Sequence, residues 1–300
     1  MILILIAKTV RSLWGCPQRA TASGEWPGLK SARRPVASYS VPNVFFEPAG
    51  TGVFVAGPAT AGPWSAGAQH GGPPSALAAR ALQLHEPDEG QRLARVAVDI
   101  LRPVPLGKIT VRTRMVRPGR RVALLEAVLE ADGQEVLHAR GWRLAIPDGE
   151  VPGIGAGPAP PPIPAEHPLS TFPGGHMTGY LRHIDWRYVG VGGFDVLGPA
   201  VVWARPKIPL IPGEELSPMC RALLLADSGS GVSSTLDPVK FLFINTDLTV
   251  ILPRDPVGDW LLLDSVSTIG EQGTGLAETA LSDVHARCGT AVQTLLVAPR

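Results

Sequence analysis

The sequence has little cysteine, few aromatic residues and no long hydrophobic run. Three cysteines in 300 residues are too few for a disulfide framework and indicate a reducing compartment, so we expect a cytoplasmic protein. No group of histidines and cysteines has the spacing of a metal site, and we expect neither a metal nor a cofactor. The opening apolar run, residues 1–6, is too short for a membrane span, and its flanking charges do not suit a secretory signal.

An excess of charge of one sign is also missing, as are several common catalytic signatures. The formal net charge of +1 leaves no broad basic face, so we expect no nucleic-acid partner. The chain contains no G-x-S-x-G elbow, no P-loop, no G-x-G-x-x-G after a strand and no H-E-x-x-H. These absences exclude the α/β-hydrolase route to ester cleavage and the usual nucleotide-binding folds.

Composition divides the chain into four parts. Residues 1–40 are rich in Gly, Pro, Ser and Arg without a clear period, and we expect a poorly ordered extension. Residues 148–175 contain the proline run at 158–164, which suits an extended linker and not a helix or a sheet. The linker separates two halves of similar size, residues 41–147 and 176–300.

Periodicity and turn signals predict the same order of elements in both halves. In the first half they predict a strand at 43–55 that is broken by Gly50 and Gly52, further strands at 92–101, 108–117, 122–130 and 136–145, and a helix that starts at the glycines and prolines before its apolar stretch, 76–84. In the second half they predict strands at 201–204, 241–252, 260–269, 275–282 and 290–297 and a helix at 217–226. A helix wrapped by an antiparallel sheet is the arrangement called a hotdog, so we expect an α+β fold.

Matching residues in the two halves indicate an internal repeat. Three matches occur in the same order: Asp99 with Asp247, the segment 125–127 with 277–279, and Trp142 with Gln293, each ten residues after an aspartate. Their common order favours duplication more than any one of them does. The expected architecture is therefore a double hotdog, with two helix-wrapped antiparallel sheets joined in one chain.

Four polar residues of the second half are candidates for catalysis. Asp227 follows the apolar helix and precedes a Ser/Gly run, so it is either a half-buried general base or a plain helix-terminating residue. Asn245 and Thr246 enter the next strand and are otherwise ordinary strand polars. Gln293 is a lone amide in an apolar strand, where it needs a partner if it faces inward.

His70, Gly71 and Gly72 precede the first-half helix and are candidates for substrate binding. Amides at a helix N-terminus bind oxygen anions, and glycine permits close approach. Alternatively, the glycines serve a tight bend and His70 is a cap or a core neighbour. Cys220 and Cys288 have no evident catalytic partner and are interpreted as small buried residues.

Short segments in both halves resemble one known family. Residues 69–77 (QHGGPPSAL) and 99–105 (DILRPVP) resemble the first half of the thioesterase-like double-hotdog proteins, which are related to bacterial acyl-CoA thioesterase II. Residues 226–229 (ADSG) and 244–249 (INTDLT) resemble the second half. The resemblance covers roughly residues 43–298. It implies hydrolysis of a fatty or other acyl thioester, carried by CoA or by a carrier protein, through a base-activated water.

The resemblance also implies roles for individual residues. In the family an Asp, a Thr and a Gln hold the attacking water; the Asp corresponds to Asp227 and the Gln to Gln293, while the Thr position falls on Asn245, with Thr246 beside it. Two alternatives remain open: a non-catalytic acyl-thioester-binding protein, and an enoyl-thioester hydratase. The hydratase needs a close Asp/His pair, and no histidine lies near Asp227 in sequence. A homo-oligomer is also left open.

Overall fold

A computed structural model describes residues 43–153, 155 and 157–300 of the chain. The predicted extension at residues 1–40 lies outside these residues. Within the part described, no helix combines the length and the apolar character needed to cross a bilayer.

The predicted helices and strands occur in the predicted order, together with several short elements that were not predicted. The first half contains β1 (Phe46–Gly50), β2 (Val53–Ala56), β3 (Ala61–Gly62), β4 (Ser65–Gln69), α1 (Gly72–Leu84), β5 (Gln91–Ile100), β6 (Gly107–Arg117), β7 (Val122–Ala131) and β8 (Gln134–Ala145). The second half contains β9 (Ile184–Tyr188), β10 (Ala200–Pro206), α2 (Pro218–Ala226), α3 (Gly229–Val232), β11 (Phe241–Asn245), β12 (Asp247–Ile251), β13 (Leu261–Ile269), β14 (Thr274–Ser282) and β15 (Arg287–Pro299). Short 3-10 turns cover Pro58–Thr60 and Gly179–His183.

One antiparallel sheet of 13 strands runs through both halves. Its order is β1-β2-β6-β7-β8-β5-β12-β15-β14-β13-β10-β9, with β11 beside β15. The N–H groups of Phe45 and Phe46 donate to the carbonyls of Pro209 (3.1 Å) and Leu210 (2.9 Å), just beyond β10. The sheet therefore curls until its two ends approach each other.

The helices lie on the inner face of this sheet and pack against each other. Helix α1 contacts β5 to β8, whereas α2 and α3 contact strands of the second half. Helix α1 begins with Pro73 and Pro74, which lose no hydrogen bond in the first turn. At its C-terminal end the buried guanidinium of Arg143, on β8, donates to the carbonyls of Gln83 (3.1 Å) and Glu86 (2.7 Å). An arginine thus satisfies carbonyls that the helix leaves unpaired.

The segment 43–55, predicted as a strand broken by Gly50 and Gly52, is a hairpin of β1 and β2, because Gly52 takes a left-handed turn conformation (φ +67°). Elsewhere the predicted strands differ from the structure. The strand predicted at 241–252 is interrupted at Thr246 and forms β11 and β12. Strand β9 was not predicted; it pairs with β10 at the edge of the sheet.

The strand register repeats between the halves. Adding 152 to both residue numbers of a first-half pair gives a second-half pair in each of these cases: Arg114–Glu126 and Val266–Glu278, Leu125–Gly141 and Ala277–Gln293, Ala97–Arg140 and Thr249–Val292. Ala97 and Thr249, which correspond to each other, also pair across β5 and β12. The two halves are thus related by an approximate twofold rotation about the β5–β12 pair.

This register corrects two of the three sequence matches. The match between 125–127 and 277–279 agrees with the constant offset. Asp247 pairs with Asp99 across the halves but does not correspond to it. The counterpart of Gln293 is Gly141, not Trp142. Successive residues of a strand point to opposite faces of the sheet. The match with Trp142 therefore paired Gln293 with a residue that points to the opposite face.

Asp283 is a fully buried carboxylate in the turn between β14 and β15. It accepts hydrogen bonds from the backbone N–H groups of Val257 (2.8 Å), His285 (2.9 Å) and Ala286 (3.1 Å) and from the Arg254 guanidinium (2.9 Å). Burial by itself raises the pKa of Asp283, but the bond from Arg254 and the three backbone donors hold it well below its usual value. The ionised carboxylate therefore stabilises this turn.

We expect Asp283→Asn to lower the free energy of unfolding by about 2–4 kcal/mol near neutral pH, because it removes the charge that Arg254 and three N–H groups share. The folded-state pKa is depressed, so the stabilisation is complete above the unfolded-state value of about 3.9 and declines as the pH falls below it. Urea unfolding at neutral and acidic pH checks this, with Asp264→Asn on the exposed face of β13 as control. Equal stability of wild type and Asp283→Asn at neutral pH would contradict it.

Candidate functional site

Helix α2 ends just before Asp227, and the turn that follows determines where the Asp227 side chain points. Asp227 and Ser228 separate α2 from the short helix α3. The Ser228 N–H donates to Leu225 O (3.0 Å), three residues back, instead of to Leu224 O. Leu224 O accepts the hydroxyl of Tyr180 (2.7 Å). The tightened turn directs the Asp227 side chain toward the N-terminal end of α1.

The Asp227 carboxylate is buried and surrounded by polar groups. The residue is 5% exposed. Its Oδ2 lies 2.9 Å from His70 Nδ1, and its Oδ1 accepts from Asn245 Nδ2 at 2.8 Å. Gln293 Nε2 lies 3.4 Å from the same Oδ1. A buried carboxylate with donors on both oxygens is held in one orientation.

Gln293 faces inward and binds the backbone on both sides of the interruption. Its Nε2 donates to Asp227 O (3.1 Å), and its Oε1 accepts from the Ser230 N–H (3.0 Å) at the start of α3. Gly229 leaves room for the side chains next to it, since a Cβ there would lie 2.5 Å from Thr279 Oγ1 and 3.3 Å from Gln293 Oε1. The amide of Gln293 therefore fixes the turn that carries Asp227.

Two glycines let the helices approach closely at this point. A Cβ on Gly71 would lie 2.8 and 2.9 Å from the two carboxylate oxygens of Asp227. A Cβ on Gly72 would overlap the carbonyl oxygen of Leu224. The N-terminal end of α1 was predicted to bind an anion of the substrate. The anion that lies against it in the structure is the carboxylate of Asp227, which the helix dipole favours.

His70 lies between Asp227 and a buried tyrosine. Its ring stacks on Tyr180, with centroids 3.8 Å apart and planes 11° from parallel. Its Nδ1 also lies 3.2 Å from the Gly72 N–H. Tyr180 was not predicted, because an aromatic residue just after the proline-rich segment carries no local signal of this contact. Burial raises the pKa of Tyr180 well above its usual value, so its hydroxyl stays protonated.

Six of the seven predicted site residues come together in the structure: Asp227, Asn245, Gln293, His70, Gly71 and Gly72. Thr246 does not join them; its side chain is exposed and lies 3.4 Å from Thr294 O. No histidine lies near Asp227 in sequence, but the expectation that Asp227 therefore lacks a histidine partner was wrong, because His70 from the other half of the chain lies 2.9 Å from it.

The two remaining reactive candidates, Cys220 and Cys288, are buried as predicted. Burial raises the pKa of each thiol to about 11, so neither carries an appreciable thiolate fraction near neutral pH. No cluster of His, Cys, Asp or Glu among the residues described has the arrangement of a metal site.

Two clefts open at the other end of the helix pair. Their volumes are about 230 and 150 Å³, and Gln83 lines both. Neither is lined by Asp227 or by the residues around it. Among the residues around Asp227, Ser230 and Asn245 are half-buried and therefore partly exposed to solvent.

Several solved structures share this fold. A candidate thioesterase from Novosphingobium aromaticivorans is 21% identical with a TM-score of 0.64, covering 84% of this chain and 98% of that one. A hot-dog-fold protein of unknown function from Alicyclobacillus acidocaldarius is 15% identical with a TM-score of 0.63, covering 82% and 93%. Acyl-CoA thioesterase II TesB2 from Mycobacterium marinum is 15% identical with a TM-score of 0.60, covering 85% and 95%. These likenesses confirm the hotdog fold.

Family models add sequence evidence, although no curated protein matches the chain significantly. The model of the acyl-CoA thioesterase N-terminal domain matches residues 60–144, and that of the C-terminal domain matches residues 160–297. Together the two models cover most of the chain in the expected order. The chain therefore belongs to the acyl-CoA thioesterase family and is an acyl-CoA thioester hydrolase.

Proposed function

We propose that this acyl-CoA thioesterase uses Asp227 as the general base that activates a water molecule. The observation that supports this most directly is the buried Asp227 carboxylate, held by Asn245 at 2.8 Å and His70 at 2.9 Å. A positioned carboxylate of this kind can take a proton from water during attack on a thioester.

The reaction needs no group beyond water and these side chains. The water oxygen bonds to the thioester carbonyl carbon while its proton passes to Asp227. The carbonyl oxygen becomes an oxyanion, for which the backbone N–H of Gly71, just before α1, is a suitable donor. Collapse breaks the C–S bond, and the leaving thiolate takes the proton from Asp227. The products are a carboxylic acid and free CoA.

His70 has a defined role in this scheme. An imidazole nitrogen either donates or accepts a hydrogen bond, depending on which nitrogen carries the proton. In this scheme Nδ1 of His70 carries the proton and donates a hydrogen bond to Oδ2 of Asp227, 2.9 Å away. This bond keeps the carboxylate oriented before the water arrives.

Asn245 stands where the family resemblance places a threonine. Its Nδ2 donates to Asp227 Oδ1 at 2.8 Å, as a threonine hydroxyl would. The second N–H of the amide is available to the attacking water. We therefore propose that asparagine replaces threonine with retention of the donor. Thr246 has no part in this proposal.

Gln293→Ala is expected to lower kcat by about tenfold, because it frees the turn that carries Asp227 and removes positioning but not proton transfer. Steady-state thioester hydrolysis measures the effect. The matched control is Thr294→Ala, the next residue of β15, whose side chain is exposed. If both variants retain wild-type kcat, Gln293 does not position the base.

The direct test of the proposed reaction is release of free thiol from a panel of acyl-CoAs of increasing chain length. We expect turnover with at least one member of the panel. Binding of acyl-CoA without thiol release from any member would instead support the non-catalytic acyl-thioester-binding protein.

The contact between Asp227 and His70 favours one second candidate, hydration of an enoyl thioester. An Asp/His pair can add water across a double bond by general acid–base catalysis. An enoyl-CoA separates the two reactions, since hydration removes the enoyl absorbance and leaves the C–S bond intact. Loss of that absorbance without thiol release would make hydration the main activity.

We also propose that residues 41–147 and 176–300 are two hotdog units joined by the linker at 148–175. The constant offset of 152 in strand register supports this, as does the presence of one long helix on the strands of each half. Use of an acyl-carrier thioester, assembly into a homo-oligomer, a cytoplasmic location and a role in lipid metabolism stay predictions from the sequence.

A further inference from the structure

The geometry points to Tyr180 as a positioning residue that holds the His70–Asp227 pair. This inference rests on the function proposed above. It assigns part of the site to the start of the second half, just after the linker, where the sequence shows no catalytic motif.

The backbone presents Tyr180 in one specific way. It belongs to the 3-10 turn Gly179–His183, and Gly179 is left-handed (φ +70°). A Cβ on Gly179 would overlap the carbonyl oxygen of Ala61, so only glycine fits there without a shift. The Tyr180 ring is fully buried, with the rings of Phe45 and Trp186 at 6.4 and 6.3 Å between centroids. This packing leaves the ring little freedom.

The ring and the hydroxyl of Tyr180 contact different parts of the site. The ring stacks face to face on His70 at 3.8 Å. The hydroxyl lies 2.7 Å from Leu224 O and 3.0 Å from Ser228 Oγ. A phenol has one proton, so it donates to the carbonyl of Leu224 and accepts from Ser228. One side chain thus contacts the imidazole and both ends of the turn that carries Asp227.

These contacts fix the plane of the imidazole and the shape of the turn, which together set the distance between His70 and Asp227. Stacking fixes the plane of the imidazole, which keeps Nδ1 directed at the carboxylate. The hydroxyl donates to the carbonyl of Leu224, which would accept from the Ser228 N–H in a continuous helix. The Ser228 N–H therefore stays on Leu225 O, and the turn stays tight. Loss of either contact lets the pair separate, and small misplacement of a base lowers the catalytic rate.

Two substitutions separate the contacts. Tyr180→Phe keeps the stacked ring and removes the hydroxyl, and we expect kcat to fall by about three- to tenfold. Tyr180→Leu removes both, and we expect a fall of about 30-fold. The KM for acyl-CoA should stay within about twofold of wild type in both, because Tyr180 does not contact substrate. Tyr188→Phe is the matched control: it removes a buried hydroxyl that has no partner within the described residues.

A double-mutant cycle with His70→Ala gives a readout that loss of stability alone would not produce. If Tyr180 acts through His70, Tyr180→Leu should lower kcat much less in the His70→Ala background than in wild type. If the effects of Tyr180→Leu and His70→Ala on kcat are fully additive, the inference is overturned. A folded Tyr180→Leu with wild-type kcat, or one with a raised KM at unchanged kcat, would overturn it as well. If Tyr180→Leu fails to fold, wild-type kcat in Tyr180→Phe together with additivity of Tyr180→Phe and His70→Ala would overturn it.

The same assays show which proposal fails. If Asp227→Asn is inactive while Tyr180→Leu and Tyr180→Phe keep wild-type kcat, the role of Tyr180 is wrong and the proposed function stands. If wild type releases thiol and Asp227→Asn does so equally well, the proposed mechanism fails, and the inference about Tyr180 fails with it.

Discussion

Replacement of Asp227 by asparagine is expected to lower kcat for thioester hydrolysis by about 10²–10⁴-fold. Asparagine has nearly the same shape and can keep a polar contact with Asn245 and His70, but it cannot accept a proton from water. The residue is 5% exposed and its neighbours hold it rigidly, so bulk solvent cannot readily supply a substitute base at the same position. Steady-state thiol release measures the loss, and circular dichroism confirms that the variant folds.

Asp99→Asn is the control for this experiment. Asp99 is exposed and lies on β5, directly across from Asp247 and away from the buried carboxylate. Its replacement should leave kcat close to wild type. If Asp227→Asn folds normally and keeps most of its activity, Asp227 is not the base and His70, 2.9 Å away, becomes the next candidate.

The element order could be predicted because its signals are local. Turn residues and hydrophobic periodicity lie within each element, and most predicted strands end within a few residues of the observed ones. The glycines and prolines at 71–74 were interpreted as a helix start, and in the structure Pro73 and Pro74 occupy the first turn of α1, where the missing N–H costs nothing.

The register between the halves could not be read from the sequence. Bulges shift the pairing, for example between Leu93 and Arg95 and between Leu281 and Ser282, and their positions leave no clear mark on the pattern. An error of one residue turns a side chain to the other face. For this reason Trp142 was matched with Gln293, when the counterpart is Gly141.

The catalytic candidates were found partly through family resemblance and partly through their setting. Asp227 was marked by its place at the end of an apolar helix. The His70–Asp227 contact could not be predicted from the sequence, because it joins the start of α1 to the end of α2 in the other half of the chain. The contacts of Tyr180 with His70 and with the turn at Asp227 could not be predicted for the same reason. Contacts of this sort depend on how the two helices pack, which no local pattern specifies.

The packing of the helices leads to the second large prediction. Gly72→Ala should lower both the melting temperature and kcat. Helix propensity alone predicts the opposite, since alanine stabilises a helix by up to about 1 kcal/mol relative to glycine. The new Cβ, however, would overlap the carbonyl oxygen of Leu224, which is backbone and cannot rotate away.

Overpacking of this kind costs about 1–3 kcal/mol and sometimes more, so we expect the contact to outweigh the propensity and α1 to move away from α2. That movement also draws His70 away from Asp227, and we expect kcat to fall by about 10²-fold. Gly149→Ala is the matched control, because a Cβ at Gly149 meets no atom within 4 Å. Thermal unfolding and thiol release measure the two effects. An unchanged or raised melting temperature for Gly72→Ala would show that the two helices can separate at this point without cost, and that close approach at Gly72 does not hold the site together.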